Sequence, residues 1–200
     1  ELAVSDGDEE VTKTSQNTVV EDLVQPNNPP EVISYSIIPT MPNTTDNLQL
    51  LFDIKDADQD VITDIEIIWR LNDQLTQETG ITINSNATQK GQLWEAAIRA
   101  TDGKNWSDLV TISVVIQNTA PTVEFLAITP STAYTNDELS ITYSAADLDG
   151  DPLDNPLIKW YKNGSEQTNL TGLATIPSSY TTKGENWSVS VYAYDGDNFS

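Results

Sequence analysis

Apolar and polar residues alternate with a period of two in several short stretches of this chain. Leu139, Ile141, Tyr143 and Ala145 are separated by Ser140, Thr142 and Ser144. Trp187, Val189, Val191 and Ala193 are separated by Ser188, Ser190 and Tyr192. Successive side chains of an extended strand point to opposite faces, so each stretch predicts a strand with one face on a core. Leu48, Leu50, Phe52 and Ile54 repeat the pattern, as do Trp94, Ala96, Ile98 and Ala100. A further strand through Ile65, Ile67, Trp69 and Leu71 runs into Asn72-Asp73, and its counterpart runs into Asn163-Gly164, both hairpin-turn signals. No stretch sustains a 3.6-residue period, so the prediction is an all-β chain.

The same pattern occurs twice. Pro30, Val32, Ile37, Pro39, Asp46, Leu48, Asp56, Asp58, Asp60 and Trp69 recur 91 residues later as Pro121, Val123, Ile128, Pro130, Asp137, Leu139, Asp147, Asp149, Asp151 and Trp160. After a two-residue insertion the offset is 93, and Lys90-Gly91, Trp94, Asp102-Gly103, Asn105 and Ser107 match Lys183-Gly184, Trp187, Asp195-Gly196, Asn198 and Ser200. A repeat of this length, made of short strands and punctuated by Pro, Asn and Asp-Gly, predicts two β-sandwiches in tandem. The expected domains are an acidic N-terminal segment with a Pro-rich linker (1–28), a first sandwich (29–117) and a second (118–200). The Trp residues at 69, 94, 160 and 187 fall on inward frames and are expected in the cores. Ser200 aligns with Ser107, so the second sandwich is expected to lack a counterpart of the final strand that Val110, Ile112, Val114 and Ile116 predict for the first.

Asn118-Thr-Ala-Pro-Thr-Val, Ile128-Thr-Pro-Ser-Thr-Ala-Tyr-Thr-Asn-Asp, Asp147-Leu-Asp-Gly-Asp, Lys159-Trp-Tyr-Lys-Asn-Gly and Lys183-Gly-Glu-Asn-Trp carry a family resemblance. Together they resemble the immunoglobulin-like repeat, related to PKD and cadherin-like domains, that is found in arrays on archaeal and bacterial surface proteins. The first repeat departs from the pattern, with Gln59 for the loop glycine and Asp73 for the turn glycine. Family members often place a Cys pair on strands facing across the core. The resemblance implies that Ile141 with Val189, and Leu50 with Ala96, stand there, apolar packing replacing the disulfide. It further implies that the Asp triplets lie between the second and third strands, at the same end as the Asp-Gly loops.

Composition narrows the chemistry. The net charge is −22, from 31 acidic and 9 basic residues, which excludes nucleic-acid or anionic-membrane binding through a broad basic patch. The chain has no His and no Cys, which removes the usual general base, thiol nucleophiles, disulfides and the common zinc ligands. Glycosidase chemistry needs two carboxyls facing across a cleft, one with a raised pKa, and exposed loop aspartates do not offer that. The chain is therefore not expected to be an enzyme. No apolar run is long enough to span a bilayer.

What remains is hard-cation chemistry and glycosylation. Asp56, Asp58 and Asp60, then Asp147, Asp149 and Asp151, set three carboxylates at alternate positions of one loop, with Asp102, or Asp195 and Asp197, at the same end. Calcium takes six to eight oxygens from flexible loops, which this set could supply. The competing reading is a tight turn in which Asp side chains bind nearby backbone N–H groups. Asn-x-Ser/Thr sequons occur at Asn43, Asn86, Asn105, Asn163, Asn169, Asn186 and Asn198. They read either as N-glycan sites, which would require a secretory route, or as a by-product of Asn-rich turns. Asn105 and Asn198 occupy equivalent positions, which favours glycans.

Asn17–Gln25 precedes its prolines by the same distance as Asp108–Ile116 precedes Pro121, so it takes the place of a final strand. Either the chain is a window from a longer tandem array, or Thr18, Val19, Val20, Leu23 and Val24 form a donor strand. Such a strand would fill the open sandwich of another copy by β-addition, making a head-to-tail homopolymer. Glu21 and Asp22 interrupt the alternation and would need a bulge or a frayed edge. The expected function is a structural subunit or segment of an extracellular surface filament or layer. The alternative is an adhesin or carbohydrate-binding module of a larger secreted surface protein.

Overall fold

The computed structural model describes residues 25–200. The first sandwich contains β1 (Glu31–Ile38), β2 (Leu48–Lys55), β3 (Asp64–Leu71), β4 (Gln74–Leu75), β5 (Thr82–Ile83), β6 (Leu93–Thr101) and β7 (Val110–Val115). One sheet has the order β1-β2-β5 and the facing sheet β4-β3-β6-β7, with every pairing antiparallel. The second sandwich contains β8 (Thr122–Thr129), β9 (Leu139–Ala146), β10 (Leu157–Lys162), β11 (Ser165–Glu166), β12 (Thr175–Ile176) and β13 (Trp187–Tyr192). Its sheets, β12-β9-β8 and β11-β10-β13, repeat the first sandwich strand for strand, except that residues 118–200 contain no counterpart of β7. Apart from three single-turn 3-10 segments, the described residues are strands and loops. This is a tandem immunoglobulin-like architecture.

The repeat extends to irregularities. A bulge interrupts β1 between Val32 and Ser34, and another interrupts β8 between Val123 and Phe125, 91 residues on. Asn72 and Asp73 have φ of 48° and 66°, and Asn163 and Gly164 have 49° and 82°, the left-handed pair that a two-residue hairpin needs to follow strand twist.

Each sandwich has its own core. Trp69 and Trp160 are both fully buried. They meet Trp94 and Trp187 edge-on at 6.2 and 6.4 Å, and their indole N–H groups donate to the carbonyls of Gly80 and Leu173 at 2.8 Å. Those bonds satisfy the one polar atom of each buried ring. Leu50 and Ala96 are buried in the first core, and Ile141 and Val189 pack at the edge of the second. Ile65, expected on the inward face, stays exposed at the start of β3, where the strand overhangs the core.

The second core is less covered, for a reason visible in the strand order. β6 is paired on both sides, whereas β13 pairs among the described residues only with β10. In the first sandwich Val114 and Ile116 close the core alongside β6. The equivalent place in the second is a groove of about 390 Å³ between β8 and β13, with Val123, Phe125, Val189 and Val191 on its walls. Phe125 is 52% exposed there.

Candidate functional site at the joint between the sandwiches

Asp56, Asp58 and Asp60 follow β2, and Asp147, Asp149 and Asp151 follow β9, so each triplet sits at the end of its sandwich that receives the incoming linker. Within each triplet the carboxylate oxygens lie within 4.8 Å of one another. The first aspartate organises the loop. Asp56 Oδ1 accepts the N–H groups of Asp58 at 2.8 Å and Asp60 at 3.1 Å, and Asp147 Oδ1 accepts those of Asp149 at 2.8 Å and Asp151 at 3.2 Å. This is the turn chemistry of aspartate. The other oxygen of each, Asp56 Oδ2 and Asp147 Oδ2, is buried with no hydrogen-bond partner among the described residues.

The Asp-Gly loops behave alike. Asp102 Oδ1 accepts from the N–H groups of Lys104 and Asn105, and Asp195 Oδ1 accepts from those of Asp197 and Asn198. The N–H of Asn105, the amide of Asn27 and the N–H and ammonium of Lys104 outweigh desolvation and hold the Asp102 carboxyl down to about 2. Burial would raise Asp195, but donors from Asn198, Asn118 and Asp197 leave it below the usual carboxylate range.

Linkers dock on these loops in the same way at both ends. Asn27 donates through Nδ2 to Asp102 Oδ2 at 2.7 Å, and Asn118 donates to Asp195 Oδ2 at 2.7 Å. The Asn28 N–H donates to Asp58 Oδ2 at 2.6 Å, and the Thr119 N–H to Asp149 Oδ2 at 2.7 Å. Asn118 Oδ1 is a third buried acceptor without a partner.

Two further contacts lock one sandwich to the other. Lys90, in the loop before β6, places its ammonium 2.8 Å from Asp151 Oδ2 and 2.7 Å from Asp197 Oδ2. Thr44, in the loop before β2, donates its hydroxyl to Asp149 Oδ1, and its N–H donates to Thr119 Oγ1 at 3.2 Å. The chain is also pinned as it leaves the first sandwich, the Gln117 N–H donating to the Pro42 carbonyl at 2.6 Å. A cleft of about 930 Å³ beside this joint is bordered by Thr44, Asn86, Lys90, Leu148, Asp149 and Asp151.

The structure thus brings together the Asp147, Asp149, Asp151, Asp195 and Asp197 loops at the joint, and the Asp56, Asp58, Asp60 and Asp102 loops at the head of the first sandwich. Sequence reasoning missed Thr44, Lys90, Lys104, Asn27, Asn28 and Asn118. A position-by-position comparison of the repeats would have singled out Lys104, which stands where the second repeat has Asp197.

Among the sequons, Asn86, Asn105, Asn163, Asn169, Asn186 and Asn198 are exposed and Asn43 is half-buried. The recurrence at Asn105 and Asn198 has a structural source as well. The hydroxyls of Ser107 and Ser200 accept the N–H groups of Ala100 and Ala193 at 3.0 Å, closing the end of the strand. Trp106 lies against Arg99 of β6 at 4.6 Å, and Phe199 stacks on Tyr194 at 4.5 Å, so both aromatics pack beside their own loops. The donor-strand residues Thr18, Val19, Val20, Leu23 and Val24 lie outside the described residues. Among the described residues no helix is long and apolar enough to cross a membrane.

No family model and no curated protein matches the chain. Among solved structures it is similar to a two fibronectin type-III domain segment from chicken tenascin, at 10% identity and a TM-score of 0.40 over 86% of this chain and 95% of that one. It is also similar to the FN1-FN3 domains of chicken CNTN1, at 7% identity and a TM-score of 0.33, over 86% of this chain and 62% of that one. At these scores the fold rests on the strand pairing above.

Proposed function

We propose that the chain is a structural segment of an extracellular surface filament or layer, its sandwiches serving as serially coupled struts of the PKD or cadherin-like kind. The observation that carries this reading is the joint, where Lys90 and Thr44 of one sandwich grip the acidic loops of the next. Tandem domains move freely unless their interface is specifically built, so a locked joint serves a protein whose length and alignment matter. N-glycans on the exposed sequons would cover the flanks, and copies of the chain are the expected partners.

The groove between β8 and β13 supports assembly by strand donation. Val123, Phe125, Val189 and Val191 line it, and the outer edge of β13 has no strand paired to it among the described residues, open to strand addition. Asn17–Gln25 stands 91 residues before Asp108–Ile116, and the linker that follows it, Asn27-Asn28, docks as Asn118-Thr119 does. Deleting Glu1–Gln25 is expected to leave both sandwiches folded by circular dichroism and to abolish filaments under the electron microscope. A peptide spanning Thr14–Gln25 should cap the open sandwich of the deleted chain. Filaments that persist after the deletion would rule out strand donation.

The joint is also a fitting place for calcium. Asp147 Oδ2 and Asn118 Oδ1 are buried acceptors without donors, and Asp149 and Asp195 stand beside them. Hard-cation sites are built from carboxylate and amide oxygens of this kind. The adhesin or carbohydrate-binding reading would place a ligand in the cleft at the joint, and specific binding on a glycan array, lost on Gln89→Ala, would establish it.

A further inference from the structure

The end of the second sandwich that points away from the joint carries the same gripping apparatus as the first. Thr135 matches Thr44 and Lys183 matches Lys90. The loops that present them share three bonds. The Asn43 N–H donates to Asp46 Oδ2 at 3.0 Å, and the Tyr134 N–H to Asp137 Oδ2 at 2.8 Å. Beside Lys90, the Gln89 N–H donates to Gln92 Oε1 at 2.9 Å, and beside Lys183 the Thr182 N–H donates to Glu185 Oε2 at 2.9 Å. The same Gln92 and Glu185 oxygens accept from the Trp94 and Trp187 indoles at 3.1 Å. A cavity of about 450 Å³ bordered by Tyr134, Thr135, Leu139, Lys183, Gly184 and Trp187 lies where Ile116 and Gln117 bond to Gly91, Gln92 and Pro42 in the first sandwich, the path by which the chain leaves toward the joint.

Lys183, like Lys55, has no ion-pair partner among the described residues, whereas Arg70, Lys90, Arg99, Lys104, Lys159 and Lys162 are all in ion pairs. The head of the first sandwich differs in the opposite sense. Asn28 stands where the second repeat has Thr119, and its Nδ2 donates to Asp58 Oδ1 at 2.9 Å, the role that Thr44 plays for Asp149 from the neighbouring sandwich. Lys104 stands where the second repeat has Asp197, and its ammonium lies 2.7 Å from Asp60 Oδ2, the role that Lys90 plays for Asp151. Both donors that the second sandwich takes from a neighbour are supplied in the first by its own segment.

We propose that the Thr135–Lys183 pole is a docking surface for a further immunoglobulin-like sandwich, one whose head carries an Asp-x-Asp-Gly-Asp loop and an aspartate at the place of Asp197. A head of the first-sandwich kind, which a copy docked by strand donation would bring, is closed by its own asparagine and lysine. Its Lys104 would face Lys183 across Asp60, two like charges on one carboxylate, so such a copy would be held by its donated strand without this grip. This specificity by an unfavourable contact distinguishes modules that this pole grips from those that it does not. The inference rests on the joint alone, not on an external location or on strand donation.

The test extends the full chain. Residues 108–200 are appended after Ser200, which supplies a β7 strand, a linker and a third sandwich in the register that the repeat dictates. The chain has no cysteine, so Thr168→Cys in the two copies places spin labels without competition. Pulsed dipolar spectroscopy is expected to give a narrow distance distribution between the second and third sandwiches. Lys183→Gln should broaden it by roughly twofold, as should Thr119→Asn with Asp197→Lys in the appended copy alone, since a domain joint without specific contacts defaults to free motion. Near-ultraviolet circular dichroism of each variant checks that the tryptophan cores are intact. A broad distribution in the unsubstituted extension, or one that neither change widens, would overturn the proposal.

Discussion

Gln59 is the residue at which the two repeats disagree most sharply with their own geometry. Its φ is 65°, while Gly150, at the same place in the second loop, has φ of 79°. A side chain in the left-handed region costs about 1–2 kcal/mol, against about 0.5–1 kcal/mol of extra chain entropy that glycine loses on folding. Gln59→Gly is therefore expected to raise the stability of the first sandwich by about 0.5–1 kcal/mol, and Gly150→Gln to lower that of the second, read by thermal melting followed at the tryptophans. The departure at Gln59 was legible in the sequence, because the repeat supplies the glycine it replaces. Lys104 was equally legible as a departure, but its meaning was not. Nothing local says that an ammonium at 104 would reach Asp60, since the two residues belong to different loops that only β3 and β6 bring together.

Strands were the most readable elements, because a period of two survives wherever one face is buried, and the described sandwiches follow it closely. The weaker signal was the loops, whose conformation depends on partners far away in sequence. Thr44 meets Asp149 across 105 residues, and no pattern within either loop announces it. The acidic loops do have a readable dependence on pH. Asp102 is depressed to about 2, and Asp58 is lowered chiefly by the backbone and side-chain N–H groups of Asn28. A folded-state pKa below the unfolded value near 3.8 means stability that is full above about pH 4 and is lost as pH falls through 2. Acid titration should therefore release the linker residues Asn27 and Asn28 between about pH 4 and 2, visible as loss of amide protection at Lys104 and Asn105. Loss already complete at pH 5 would contradict this assignment.

On the scale of the whole molecule, charge and joint oppose each other. A net charge of −22 drives the two sandwiches apart, and the joint concentrates acidic loops where they meet. Lys90 offsets part of this, held protonated above the usual lysine range by its hydrogen bonds to Asp151 and Asp197. If calcium completes the neutralisation at Asp147 and Asn118, excess chelator should lower the melting temperature of the second sandwich and widen the interdomain distances in small-angle scattering. An unchanged melt and scattering curve would leave these aspartates as turn formers only. The tandem arrangement itself was legible from the 91-residue offset, whereas the coupling between its halves was not, since composition records how many charges there are and not which of them face each other. A fixed joint between two equivalent bodies is, in geometry, a screw: one rotation and one translation carry the first sandwich onto the second. Any series of modules joined through the Lys90–Asp151 contact must repeat that operation and wind with a constant pitch and hand.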